Sequence, residues 1–333
     1  METSLSHTGK PFRNSLLFWI CISSILWVNS GCRSIPSNRA TAVHTASAEL
    51  ATSTGELLDR IESTALETQI QNAVASDQLL LTPDLFAHAI DPKTATALTQ
   101  QLAAVERYFD TLRAIASGEY QGKLKDPAIN LAKSFTAASS SLNDLGSFAN
   151  AEELKRIQSS AGTLTAVAAT LGELIIDAST QSRARKVIQK TQQPLDDYLG
   201  GLALIFSKTD DAKTAPTKGP SLAAVLENEF QSRMNSLNTR WNSLGTAPTG
   251  ILEREKWMEH REALARAYVT ALRGKELSPA IAVGLRKSCL SIAKAHRALL
   301  EDDGKLDLSD LEHAVARVKF LNSVFKEVRA GAQ

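Results

Sequence analysis

Histidine and cysteine are the residues of this sequence with the most specific chemistry, because imidazole and thiolate groups bind zinc. Cys289 and His296 lie seven residues apart, which is about 10.5 Å along a helix axis, whereas zinc ligands sit about 2.0–2.3 Å from the metal. No H-x-x-x-H or C-x-x-C spacing occurs. We therefore predict no metal site. We interpret His260 and His296 as partly buried structural residues and Cys289 as a small buried apolar residue.

Ser291 and Lys294 form the spacing S-x-x-K, which places a lysine one helical turn after a serine, where it could act as the base for a nucleophile. Penicillin-recognising enzymes use this motif, but their companion K-T-G motif does not occur and too little chain follows Ser291 for that fold. We interpret the pair as two residues of a helix surface.

Residues 301–310 have the acidic composition of a calcium-binding loop. With Gly304 at the loop glycine, Leu299 would occupy the first ligand position, and the last would be aspartate instead of glutamate. We therefore interpret the segment as an acidic turn between helices, with Gly304 as the residue that ends the preceding helix.

Other motifs of catalysis are missing from the sequence, including glycine-rich phosphate loops and the G-x-S-x-G nucleophile motif. Arg183, Arg185 and Lys186 form a small basic cluster, which we interpret as a solvated helix end. We therefore predict that the chain is not an enzyme and uses no cofactor. The 37 basic and 36 acidic residues give a net charge of +1, which argues against a nucleic-acid partner, because such proteins use a basic excess to reach phosphates.

Helices are the elements that must position these residues. A small polar residue followed by proline is typical of a helix start, and such pairs occur at residues 82–83, 91–92, 126–127 and 278–279. Apolar residues then recur every three or four positions. The clearest series are Leu98, Leu102, Val105, Phe109, Leu112 and Ala116; Leu131, Phe135, Ala138, Leu142 and Leu145; and Leu222, Leu226, Phe230, Met234, Leu237 and Trp241. We predict an all-α fold, an elongated bundle of about seven or eight helices without significant sheet.

One long helix is predicted for about residues 150–193, because acidic residues open this segment and basic residues close it, which complements the helix dipole. Its part 159–172 carries no charge and is rich in small residues. That part is shorter than the roughly 20 residues needed to cross a bilayer, so we predict a buried central helix and not a membrane-inserting hairpin. Pro194 is expected to end or kink the helix.

The N-terminus has the layout of a secretory signal. Lys10 and Arg13 precede the uncharged apolar run 16–28, and small or polar residues at 29–32 end it. Because this run is shorter than a bilayer-spanning helix, we predict a cleaved signal peptide over residues 1–31; a retained N-terminal anchor is the alternative.

The ending Ser30-Gly31-Cys32 resembles the lipobox of bacterial lipoproteins, although Asn29 stands where that family usually has leucine. The resemblance implies cleavage between Gly31 and Cys32 and lipidation of Cys32. Stable anchoring takes about two acyl chains, which such a lipid supplies. Because Arg33 and not aspartate follows the cysteine, the resemblance favours the outer membrane over the inner, with the protein facing the periplasm.

The domain organisation follows from composition. Residues 32–47 are polar and small, which predicts a flexible tether after the lipidated N-terminus. Residues 209–220 have a similar character and predict a loop or linker between an N-terminal bundle, 48–208, and a C-terminal bundle, 221–333. One continuous bundle is the alternative.

The cysteines fit an exported protein without an intrachain disulfide. Cys21 would leave with the signal, Cys32 would carry lipid, and Cys289 would have no partner thiol. We therefore expect a lipid-anchored helical protein of the bacterial cell envelope, a non-enzymatic scaffold or docking protein attached to the membrane through Cys32 and bound to an envelope partner. A helical module that binds a small ligand or metal in its core is one alternative. A toxin, an immunity-like factor or an enzyme of unrecognised type is another.

Overall fold

The computed structural model describes residues 35, 37–75, 82–119, 125–176, 180–211, 213 and 220–301, together with single positions between 309 and 323. These residues form α-helices and two short 3-10 helices, Pro83–Leu85 and Leu142–Leu145, without a strand, so the predicted all-α fold is confirmed. The α-helices of this part of the chain are α1 (Ser37–Ala75), α2 (Pro92–Ser117), α3 (Lys125–Ser141), α4 (Ala151–Ile176), α5 (Thr180–Phe206), α6 (Leu222–Ser243) and α7 (Ile251–Ala298).

The helices pack mostly against their neighbours in sequence, and the chain from Ile35 onwards forms one compact unit. Helices from both sides of the predicted boundary at 209–220 pack together, since α5 contacts α7 and α1 contacts α6. The Arg286 side chain of α7 also donates to the carbonyl of Ser207, at 3.1 Å, where the loop after α5 begins. The described residues therefore form one bundle and not two.

Helix α2 shows how local sequence builds these elements. It begins at Pro92, and the Asp91 side chain accepts a hydrogen bond from a backbone amide of the first turn. The apolar series predicted for it is buried from Leu98 to Leu112, and its last member, Ala116, is half-buried. It ends at Gly118, whose φ of 77° is the left-handed conformation that glycine adopts without strain.

The segment predicted as a flexible tether is helical from Ser37, as part of α1. Ala40 and Val43 are fully buried and face the core. Small residues lower the hydrophobicity of this segment, but they permit close helix packing and do not prevent helix formation. The flexible tether predicted over 32–47 is therefore wrong from Ser37 onwards.

The long helix predicted for 150–193 is two helices, α4 and α5, that pack against each other. Pro194 does not end α5, which continues to Phe206. One face of the uncharged segment 159–172 is buried, through residues such as Ala161, Leu164 and Ala168, while Ser159, Gly162 and Ala166 on the other side are exposed. The prediction of a buried central helix is correct for that face alone.

The helix start predicted at Ser278 and Pro279 lies instead inside α7. Proline removes one backbone donor from a helix, and the Ser278 hydroxyl donates to the carbonyl of Gly274, at 2.8 Å. Gly274 has a packing role there, because a β-carbon at this position would overlap the ring of Phe230 on α6. Ser278 and Pro279 are thus interior residues of one long helix.

Candidate functional site

The interpretation of Ser291 and Lys294 as two residues of a helix surface is correct for Lys294 alone. Ser291 is buried on the inner side of α7, whereas Lys294 is exposed on the outer side. His260 is exposed and not partly buried as predicted, and its Nδ1 lies 2.8 Å from the carbonyl oxygen of Lys256, within the same helix. Cys289 is a free, buried thiol, as predicted, and burial raises its pKa to about 12.

His296 belongs to a buried polar network that joins three helices. The hydroxyl of Tyr108, on α2, lies 2.7 Å from Nε2 of His296 on α7 and 2.6 Å from the hydroxyl of Thr191 on α5. All three side chains are buried. Thr191 is also 2.8 Å from the carbonyl oxygen of Val187, to which it donates. The Tyr108 hydroxyl then donates to Thr191 and accepts from Nε2–H of His296.

Burial keeps His296 neutral. Desolvation, followed by the charge of Arg297, lowers its pKa to about 3. Between pH 6.5 and about 3, the histidine is protonated in the unfolded chain but neutral in the folded chain. The contribution of this residue to the free energy of unfolding is therefore complete above pH 6.5 and is lost as the pH falls towards 3. This histidine is a structural group that ties the bundle together, and not a proton-transfer residue at neutral pH.

A second buried polar cluster lies between α1 and α6. Arg233, only 1% exposed, donates to Oε1 of Gln71 at 2.7 Å and to the hydroxyl of Thr68 at 3.2 Å. Arg240 donates to the same Gln71 oxygen at 2.9 Å. Burial lowers the pKa of Arg233, and the charge of Glu67 acts in the opposite direction. Long polar side chains therefore replace apolar packing at this helix interface.

Glu229 lies one turn before Arg233 on α6. Burial raises its pKa to about 7, with the nearby Arg233 opposing the shift and Glu62 adding to it. A carboxyl group with a raised pKa is often a catalytic acid. Here the side chain is half-buried, and the charged groups that act on it are Arg233 and Glu62, so the geometry favours a structural role.

The N-terminal part of α7 exposes an apolar face to solvent. Its inner side packs on α6 through Leu264, Ala267 and Ala271, which are buried. The opposite side carries Ile251, Met258, Ala265 and Leu272 at intervals of seven residues, with Val269 beside them. Ile251 is 81% exposed, Met258 57% and Val269 45%. We call these five residues the outer face of α7.

Charged residues of both signs lie along this face. Exposed glutamates occur at 255, 259, 262 and 276, and exposed arginines at 254, 266 and 273. Within this row, Arg266 Nε donates to Glu262 at 3.1 Å. The apolar side chains of the outer face are therefore bordered by a mixture of acidic and basic residues over its whole length.

The α6–α7 pair is held in a fixed geometry at the same end of the bundle. The guanidinium carbon of Arg261 lies 4.1 Å from the ring centre of Trp241 and 4.5 Å from that of Trp257. The indole of Trp257 donates to the carbonyl of Leu244, at 3.1 Å. These contacts tie the start of α7 to the end of α6, so the outer face is carried by an ordered helix.

A surface groove of about 550 Å³ lies between α3 and α4. Its lining is mostly apolar and small, with Lys133 as the charged residue among its walls, beside Ile129 and Ala169. No group of three or more histidine, cysteine, aspartate or glutamate residues in the described chain is placed to hold a metal. The groove therefore offers an apolar surface with a single cation.

The lipidation site predicted at Cys32, the cleavage site after Gly31 and the signal peptide 1–31 lie outside the described residues, as does most of the acidic segment 301–310. None of the helices that the structure describes combines the length and the apolarity needed to cross a membrane.

Sequence reasoning missed the outer face of α7 and the Arg233 cluster. The seven-residue recurrence from Ile251 to Leu272 was a signal for the first. For the second there was none, because a lone arginine in an amphipathic helix is ordinarily exposed. Comparison with known proteins found no matching family model, no curated protein of significant similarity and no similar solved structure.

Proposed function

We propose that this chain is a lipid-anchored, non-enzymatic docking protein of the bacterial cell envelope, facing the periplasm. The observation that carries the docking role is the outer face of α7. Five apolar side chains line an exposed helix there, four of them at intervals of seven residues. Contiguous exposed apolar surface of this kind is typical of interaction sites.

The order of the N-terminal residues supports the location. A basic start, a short apolar run and the Ser30-Gly31-Cys32 ending favour export and lipid attachment at Cys32. Removing residues 1–31 takes away two basic residues and one acidic residue, which leaves a mature charge near zero. Such a surface gives little attraction to anionic head groups, so in this proposal the lipid alone supplies the membrane attachment.

In-cell photocrosslinking tests the docking role. A photoreactive residue replaces Met258, on the outer face, in the full chain, and the matched control carries it at Ala263, which is exposed on another side of α7. We expect a specific protein adduct from position 258 that position 263 does not give. Absence of an adduct from position 258 in intact cells would contradict docking through this face.

A ligand-binding role is the second candidate, and the groove beside Ile129 and Lys133 favours it. An apolar groove with one cation suits an amphiphile with a negatively charged head. Native mass spectrometry of the purified chain would reveal a stoichiometric small molecule, and the variant Ala132→Trp, which fills the groove, should abolish its binding. Retention of the same ligand by that variant would place the ligand elsewhere.

A further inference from the structure

Helix α1 begins at the end of the bundle where α5 begins and α7 ends. The guanidinium group of Arg39, in the first turn of α1, donates to the carbonyl of Ala298 at 2.9 Å and to that of Glu301 at 3.1 Å. Arg185, near the start of α5, donates to the carbonyl of Leu300 at 3.4 Å. We call this end, where Arg39 and Arg185 contact the last turn of α7, the basal end of the bundle.

The connection from the predicted lipidation site to the basal end is short. Ile35, two residues before α1, belongs to the hydrophobic core and is only 5% exposed. Arg33 and Ser34 alone separate it from Cys32 in the sequence. Because each residue spans at most about 3.6 Å, the three steps from Cys32 to Ile35 cover about 11 Å or less. A flexible tether over all of 32–47 would instead span about 20–24 Å on average.

We propose that the basal end faces the surface of the lipid bilayer, so that the bundle stands on the membrane and carries the outer face of α7 away from it. This inference rests on the proposed lipid attachment at Cys32 and adds the orientation of the folded chain. Acyl chains on Cys32 lie in the hydrocarbon layer, and the head-group layer beside it is about 5–8 Å thick. A connection of about 11 Å therefore keeps Ile35 and the basal end at the level of the head groups.

The charges of the basal end are compatible with this contact. Side chains of both signs occur there, and Arg297 is paired with Asp196 at 3.3 Å. The last carbonyls of a helix carry partial negative charge, which lipid phosphates would repel. At the end of α7 these carbonyls accept hydrogen bonds from the guanidinium groups of Arg39 and Arg185. The lipid supplies the attachment, and the short connection sets which end faces the membrane.

Helix α7 leads from the basal end to the outer face. It has 48 residues, which is about 72 Å along its axis. Leu272 and Met258, on the outer face, lie 26 and 40 residues before Ala298, which is about 39 Å and 60 Å. A bundle lying flat would need attraction between its side and the head groups, and a mature charge near zero supplies little. The outer face is therefore presented well beyond the head groups.

Energy transfer from labelled positions of α7 to the membrane tests this orientation. The full lipidated chain with Cys289→Ala carries a donor dye at Lys294→Cys or at Met258→Cys, in phosphatidylcholine vesicles that contain an acceptor-labelled lipid. Both positions are exposed on the same helix, 36 residues or about 54 Å apart. We expect severalfold more efficient transfer from position 294. Equal transfer from both positions, or stronger transfer from position 258, would overturn the proposal. Circular dichroism at 222 nm confirms that each variant is folded.

Lengthening the connection tests its role. A Gly/Ser segment of 20 residues inserted between Ser34 and Ile35 would span about 22–27 Å on average. Transfer from position 294 should fall, because the basal end can then leave the head groups. The matched control carries the same segment between Thr246 and Ala247, in the exposed turn between α6 and α7, and should leave this transfer unchanged. Unchanged transfer from position 294 after the first insertion would overturn the short connection as the cause and with it the proposal.

Vesicle binding separates this inference from the proposed function. Binding that Cys32→Ser abolishes, together with equal transfer from positions 294 and 258, would overturn the orientation and leave the lipid anchor standing. A natural chain that does not bind the vesicles would overturn both. Binding through Cys32 with strong transfer from position 294 and weak transfer from position 258 supports both.

Discussion

The contact between Gly274 on α7 and Phe230 on α6 gives the sharpest test of how the helix that carries the outer face is positioned. A β-carbon at position 274 would overlap the Phe230 ring, and even the third nearest ring carbon, Cδ1, would lie 2.8 Å away. Carbon atoms pack at about 3.5–4.0 Å, so the ring or the helix must move. Phe230 is fully buried.

Two opposing effects set the size of the change in Gly274→Ala. Replacing glycine by alanine inside a helix stabilises by about 0.5–1 kcal/mol, whereas overpacking a core costs about 1–3 kcal/mol. We expect a net loss of about 1–2 kcal/mol in the free energy of unfolding. Gly200→Ala on α5 is the matched control, because no atom lies within 4 Å of a β-carbon there, and it should be stabilising.

Urea unfolding followed at 222 nm measures both variants. Phe230→Leu removes the ring that the new methyl group meets, so the cost of Gly274→Ala should shrink in that background, with a coupling energy of about 0.5–3 kcal/mol. A Gly274→Ala variant as stable as Gly200→Ala would refute the close approach of α6 and α7 described here.

Two further predictions concern the buried polar groups. Because the pKa of Glu229 is raised from 4.5 to about 7, the folded chain holds a proton that the unfolded chain releases, and stability falls as the pH rises through this window. Urea unfolding at pH 4 and pH 8 should therefore show Glu229→Gln more stable than the natural chain at pH 8 and little changed at pH 4; equal stability at pH 8 would contradict the raised pKa. Tyr108→Phe leaves His296 and Thr191 without their shared partner and should cost about 1–3 kcal/mol. Tyr268→Phe, at a half-buried tyrosine, is its control and should change little in the same assay.

The features that sequence predicted well are those encoded by residues near each other in the chain. The cap at Asp91 and the apolar series of α2, α3 and α6 are local, so their helices could be located and their buried faces identified. Pro279 was misread for the same reason. A proline at a helix start and a proline inside a long helix can have the same local sequence. At Pro279 the preceding turn stays helical and contacts α6, where Gly274 lies against the ring of Phe230.

The candidate docking face shows the corresponding limit for function. Helix α7 carries apolar residues on both sides, and both could have been buried. Only the packing of α6 against Leu264 and Ala271 leaves Ile251, Met258 and Val269 exposed. Sequence periodicity identifies apolar stripes, but which stripe is covered depends on contacts between helices distant in sequence.

Membrane fractionation of a Cys32→Ser variant tests the central claim of lipid-anchored docking most directly. The natural chain is expected in the membrane fraction, with Cys32 as an acylated N-terminal residue in peptide mass spectrometry. Cys289→Ala, which changes a buried core thiol, is the matched control and should remain with the membrane. The account predicts release of Cys32→Ser into the soluble fraction. Its retention in the membrane fraction at the level of the natural chain would contradict the account.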